Sequence, residues 1–225
     1  MWFIERYFPN VLGLGSQLIE STYQTLYMVV VTALFAGIFG LTLGVILVVV
    51  DENGILEKRL IFNLLDKAIN VLRSIPFIIM LALIAPFTRF IVGTSIGTHA
   101  AIVPLVIGTV PFFARQIQNS LLEVDKGVIE AAVAMGSSPL EIIFCIYLRE
   151  GLTGIIRVSS LTIINLIGLT TMAGVVGGGG LGNLAISVGY NRFQNDVTLV
   201  ATLLVLILVF ISQAIGNYFV KKTTH

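Results

Sequence analysis

Charge is scarce in this chain. Only 11% of its residues are Asp, Glu, Lys or Arg, against roughly 25% in an ordinary soluble domain. Hydrophobic residues make up 56%, and the mean hydropathy is +1.00. So few charges cannot cover a water-solvated surface, so the chain reads as an integral membrane protein with the lipid bilayer as its solvent. It has no basic run suited to a phosphate backbone, which sets aside nucleic acid as a partner. Cys145 is the single cysteine. An intrachain disulfide is therefore excluded, and the thiol is expected to be a small buried or interfacial hydrophobe. The two histidines, His99 and His225, lie far apart in sequence and form no metal-ligand cluster. The N-terminal stretch carries Glu5, Arg6 and Glu20 and lacks the basic start and apolar run of a cleavable signal.

Two further absences concern energy. No carboxylate lies deep in an apolar stretch; Asp51, Glu150 and Asp196 flank such stretches. Carriers driven by protons or sodium usually place carboxylates within the membrane. This pattern disfavours an ion-coupled carrier, although backbone carbonyls can also bind sodium. No Gly-Lys pair occurs, so the phosphate loop Gly-x-x-x-x-Gly-Lys-Ser/Thr is missing. No nucleophile–base constellation stands out. The expectation is a chain that is not an enzyme, with no catalytic residue, cofactor or metal of its own.

What is present is a set of long apolar runs. A bilayer crossing needs about 20 such residues. Five stretches qualify: 26–50, ending sharply at "DENG"; 68–87; 100–117; 152–176, ending in "GGGGLG"; and 197–220. The expected fold is all-α, with five transmembrane helices in a single domain over residues 1–225. The leading stretch, with "WFIERYF" at Trp2–Phe8, has the composition of a further helix lying on the membrane. With the N-terminus outside, ten of the thirteen basic residues fall on the inner side. Only Arg6, Arg89 and Arg192 remain outside, so the rule for cytoplasmic positive charge selects N-out, C-in. Arg73, Arg115 and Arg157 sit at the inner ends of spans and are expected to snorkel to the interface.

The longest inner segment, 118–151, contains "IEAAVAMGSSPLEII" at Ile129–Ile143. Ile129 to Met135 has the length of about two helical turns. Gly136 reads as a stop, Ser138 as an N-cap, Pro139 as the first helical residue and Glu141 as the return partner of a capping box. At the outer end of the fourth span, Gly177, Gly178, Gly179 and Gly180 form either a flexible helix terminus or a close backbone contact around an outer gate. Met172, just before them, either packs between helices or fills a closed constriction with its flexible thioether.

"EAAVAMG" at Glu130–Gly136, then nine residues, then "IYL" at Ile146–Leu148, resembles the EAA loop of ABC-importer membrane subunits, Glu-Ala-Ala-x3-Gly-x9-Ile-x-Leu-Pro. Arg149 stands where that pattern has its proline. "RSIPFIIM", "PFFAR", "LLEVDKGVIEAAVAMG" and "MAGVVGGGGLGNLAISVGYNRF" are similar to the methionine-import branch of these permeases, with another small amino acid or sulfur compound as the alternative substrate. The resemblance implies a type I importer permease in the bacterial cytoplasmic (inner) membrane. It further implies a homodimer, two ATP-binding ABC subunits beneath it, and a lipoprotein or periplasmic substrate-binding protein docking outside. Glu130, Ala131, Ala132, Gly136 and Ser138 would couple to the ATPase. Glu130 would meet a basic group or a helix N-terminus on the ATPase, and the small alanines would let the helix lie in a groove.

The orientation predicts that Asn53 and Ser137 face the cytoplasm, while Thr94 and Asn191 face outside. Single cysteines at these positions, in a Cys145→Ser background, should react with an impermeant thiol reagent accordingly. Labelling at position 137 from outside intact cells contradicts the orientation.

Overall fold

The computed structural model describes residues 7–223, and within them every regular element is helical. The expected surface helix falls partly on Trp2–Arg6, which lie outside the described residues. A 3-10 turn at Leu12–Leu14 leads into α1, Gly15–Val50. Then follow α2 (Arg59–Ser74), α3 (Phe77–Val92), α4 (Thr98–Leu121) and α5 (Lys126–Ala134). A second cytoplasmic run winds through Pro139–Glu141, Ile142–Tyr147 and Leu148–Glu150. The long helices α6 (Leu152–Ala173) and α7 (Asn195–Thr223) complete the chain. Four runs are long and apolar enough to cross a bilayer: Leu12–Val50, Thr98–Leu121, Leu152–Gly178 and Asn195–Thr223. The broken pair α2–α3 supplies a fifth if counted as one span.

The structure differs from the sequence reading at this pair. The expected span 68–87 is not continuous, because α2 ends at Ser74 and α3 starts at Phe77. Pro76 pushes the residue before it out of the helical region, and Ile75 is accordingly extended at φ −79, ψ 121. Pro76 itself starts α3, its carbonyl accepting from the N–H groups of Ile79 and Met80 at 2.9 and 3.0 Å. α2 is also unsuited to hydrocarbon. Arg59, Asn63, Asp66, Lys67, Asn70, Arg73 and Ser74 share one face at helical spacing. Each charge at a bilayer centre costs about 2.5–3.5 kcal/mol on the insertion scale.

The chain forms two compact units. One comprises the residues up to Leu34, Pro76–Gly108 and Ile163–Ser212. Its core joins Met28, Val29, Leu105, Leu166, Ile167 and Ala173, with a second cluster at Leu184, Val197 and Ala201. Asp196, at the head of α7, accepts from the backbone N–H and side-chain amide of Asn10, both at 2.9 Å.

The other unit comprises Phe35–Ile75, Thr109–Thr162 and the chain from Gln213 on. Here α1 and α4 pack through Gly40 and Gly44, a pair spaced four apart that lets backbones approach. A Cβ on Gly40 would lie 2.7 Å from the Phe113 ring. One on Gly44 would lie 2.6 Å from Ile117 and 2.7 Å from the Ala114 carbonyl oxygen. The core gathers Val48, Val49, Val50, Ile117, Leu121, Ala132, Ile142 and Tyr147. Arg115 does not snorkel freely, as the sequence reading expected. Its guanidinium pairs with Asp66 and donates to Asn70 Oδ1 at 3.1 Å and to Gln118 Oε1 at 2.6 Å. The polar face of α2 supplies two of these partners, which satisfy a charge that the apolar surroundings of Ile69 and Ala114 could not.

Gly44→Val should lower the thermal midpoint of the detergent-solubilised protein, since overpacking of this kind typically costs about 1–3 kcal/mol. Gly37→Ala should not lower the midpoint, because a Cβ there meets nothing within 4 Å and alanine favours the helix. Equal midpoints for Gly44→Val and the parent remove the close α1–α4 contact as an explanation of that glycine.

Candidate functional site

The cytoplasmic helix-turn-helix is punctuated by side chains at each end. Asp125 caps α5, its carboxylate accepting from the Gly127 N–H at 2.7 Å. The helix stops because Gly136 takes φ +81, a left-handed conformation that glycine adopts without steric cost. The reversed chain returns the Gly136 and Ser137 N–H groups to the carbonyls of Val133 and Ala132, at 3.0 and 3.1 Å. The capping box follows as the spacing predicted. Ser138 Oγ accepts from the Glu141 N–H at 3.4 Å, and Glu141 Oε2 accepts from the Ser138 N–H at 2.7 Å. The Ser138 N–H, then its hydroxyl, holds the Glu141 carboxyl below the usual glutamate range. The second run then loosens into a π-helical winding at Ile142–Tyr147, a feature frequent at functional sites.

The five residues singled out in this loop separate into two groups. Glu130, Ala131, Gly136 and Ser138 are exposed, and Glu130 makes no polar contact among the described residues. Ala132 is only 3% exposed and packs into the core of its own chain. Of the two alanines expected to lie in a partner's groove, Ala131 is the exposed one and Ala132 is buried within its own chain. Val133, Met135, Leu140 and Phe144 are exposed around the turn, and Cys145 is exposed beside them. A cavity of about 310 Å³ opens next to Glu130, lined also by Asp51, Asn53, Lys126 and Tyr147.

The glycine run is held in a fixed shape. Gly177, Gly179 and Gly180 have φ of +93, +78 and +75. The chain leaves helical geometry at Val176 and Gly177 and resumes as a short helix at Gly180–Asn183. Two side chains from α1 meet the freed amides. Gln24 Oε1 accepts from the Gly180 N–H at 2.7 Å, and Thr25 Oγ1 from the Leu181 N–H at 2.9 Å. The Gly97 N–H also donates to the Gly177 carbonyl at 2.9 Å. Space is equally limiting, since a Cβ on Gly179 would sit 2.5 Å from Gln24 Oε1. Of the two sequence alternatives, this geometry is a close backbone contact. Beside it, Met172 is exposed on a cleft of about 330 Å³, shared with Thr171, Val175, Leu181, Ile186 and Val205. Gln24 and Thr25 escaped the sequence reading because polar residues near the start of an apolar helix carry no periodic signal. Asp125 also escaped it, although an aspartate just ahead of an apolar helical stretch is an N-cap signal.

The model of the family "binding-protein-dependent transport system inner membrane component" matches residues 40–225. The chain belongs to this family and is a multi-pass protein of the bacterial inner membrane. It is 44% identical to a probable D-methionine transport system permease protein of Pasteurella multocida, over 91% of this chain and 94% of the relative. It is 45% identical to a methionine import system permease protein of Bacillus subtilis, over 95% of each. Among solved structures, it superposes on a chain of the MetNI methionine ABC transporter in inward-facing conformations with a TM-score of 0.93. The identity is 39%, with 95% of this chain and 99% of that one covered. An amino acid ABC transporter with histidines shares the fold, at a TM-score of 0.79 and 16% identity over 96% of this chain and 98% of that one.

Gln24→Leu should leave the buried Gly180 N–H without its acceptor, at a cost of about 1–3 kcal/mol. Hydrogen exchange at 177–181 should quicken, while exchange in α4 stays at the parent rate. Unchanged exchange at the turn shows that Gln24 does not hold it.

Proposed function

We propose that this chain is the membrane-spanning subunit of an ATP-driven importer that moves methionine across the cytoplasmic membrane by alternating access. The cytoplasmic hairpin carries the reading. It projects two helices, each with a side-chain N-cap; the Glu130 side chain has no polar partner among the described residues, and the turn exposes Met135, Leu140 and Phe144. Exposed apolar side chains grouped around one turn fit a separate protein partner. Methionine as cargo is supported by the named relatives and by the solved methionine transporter.

Two copies of the chain form the pathway, and two ATP-binding subunits dock under the hairpins and hydrolyse ATP. An extracytoplasmic binding protein delivers the substrate. Glu130, Ala131, Gly136 and Ser138 shape the face presented to the ATPase, and Ala132 passes its displacement into the permease core. Met172, with the turn at Gly177, Gly178, Gly179 and Gly180, forms the outer gate, the thioether filling the closed constriction.

The test combines pull-down, ATP hydrolysis and methionine uptake on the reconstituted complex, with competing amino acids. Glu130→Lys should reverse a charge pairing. Gly136→Val should force a β-branched residue into φ +81. Both should weaken ATPase binding, or leave hydrolysis that no longer drives uptake, with the helical body intact. Met172→Ala should raise hydrolysis uncoupled from uptake. Parent-like assembly and transport in both hairpin variants removes the coupling role, and unchanged coupling in Met172→Ala removes the gate.

A further inference from the structure

α2 has three faces, of which the Arg115–Asp66 pair and the apolar core explain two. Phe62, Leu65 and Ile69 pack inward against Leu47 and Ala114. The polar face carries Asp66 and Asn70 towards Arg115. The third face bears Leu60, Leu64 and Val71, which are 85%, 70% and 62% exposed. Lys67 follows the edge between this strip and the polar face at helical spacing. Arg73 lies further round, and Lys58 precedes the helix. These three cations are exposed and have no acidic partner among the described residues. Arg59 differs, being held by Glu52 and Glu57 at 2.7 and 3.1 Å.

We infer that α2 is a binding surface for anionic phospholipid of the cytoplasmic leaflet. Leu60, Leu64 and Val71 enter the acyl boundary. Lys58, Lys67 and Arg73 meet the phosphate headgroups. An apolar strip bordered by lysine, on a helix with a strict polar face, is the composition of a helix lying in the interface. Anionic headgroups complement its unpaired cations. Contacts between membrane-embedded copies favour small residues, whereas this strip presents branched side chains. The continuity of the chain through Pro76 into the apolar helix α3 places the end of α2 at the start of a membrane segment. The assignment to the cytoplasmic leaflet rests on the N-out, C-in orientation. The membrane depth of α2 does not, so a failure of either is separately visible.

The experiment uses the assembled transporter in vesicles of phosphatidylcholine with and without phosphatidylglycerol. Nitroxide labels are placed at Leu64→Cys, Val71→Cys and Asn63→Cys in a Cys145→Ser background. Labels at 64 and 71 should relax faster with oxygen than with a water-soluble nickel chelate, and the label at 63 should show the reverse. Lys67→Gln combined with Arg73→Gln should abolish the preference for spin-labelled phosphatidylglycerol over phosphatidylcholine among motionally restricted lipids. The nickel chelate prevailing at 64 and 71 overturns the inference in favour of water. Dipolar broadening between two copies at 64 overturns it in favour of a second chain. A lipid preference unchanged by the double substitution overturns the headgroup contact.

Discussion

In hydrocarbon, a backbone amide released from a helix finds no water to replace its lost partner. This one constraint sorts the irregular places in the chain. At the α2–α3 break a proline stands at the turn and removes one N–H that would otherwise need a partner. At the glycine turn the freed amides of Gly180 and Leu181 are taken by Gln24 and Thr25. The polar side chains near the head of α1 are thus a condition for the turn, and the glycines are a condition for the side chains to reach it. A substituent on Gly179 or Gly180 would occupy the space of Gln24, Thr25 or Met28.

Water does reach the cytoplasmic hairpin, yet it is capped just as fully, by Asp125 at one helix and by Ser138 with Glu141 at the next. Capping here sets shape, since solvent could satisfy the same amides. A frayed hairpin would absorb an applied displacement by unwinding, whereas a capped one moves as a body. The turn pays for this rigidity with the φ of Gly136, which no β-branched residue adopts cheaply.

Much of this was legible in the sequence where the signal is local. The Ser-Pro-x-Glu grammar gave the capping box, and Gly136 gave the stop, because a cap depends on residues a few positions apart. Apolar windows located four of the long helices. They misplaced their ends, because hydropathy marks the part of a helix in lipid and not where the helix stops. α1 starts at Gly15, well before the apolar window at Leu26, and its 36 residues measure about 54 Å. The window at 68–87 missed the break in its helix for another reason. It averaged the amphipathic end of α2 with the apolar start of α3 and passed over the proline between them. Contacts distant in sequence were not legible. Nothing local to Arg115 announces Asp66, and nothing local to Gly180 announces Gln24, 156 positions away.

The placement of Ala132 changes how a force on the hairpin is carried. Residues exposed along α5 can be gripped by a partner, but a helix gripped on one face and loose on the other would merely roll. Ala132 prevents that by seating α5 in the cluster of Val48, Val49, Val50, Ile117 and Leu121, at the ends of α1 and α4. Its side chain is a single methyl, which adds little bulk to that cluster. In the proposed coupling, a push on α5 reaches α1 and α4 directly through this contact, as well as through the capped run leading into α6. Ala132 is then small for the sake of the permease itself. A bulky residue at position 132 would damage the body proposed to receive the force before it disturbed the surface proposed to meet the ATPase.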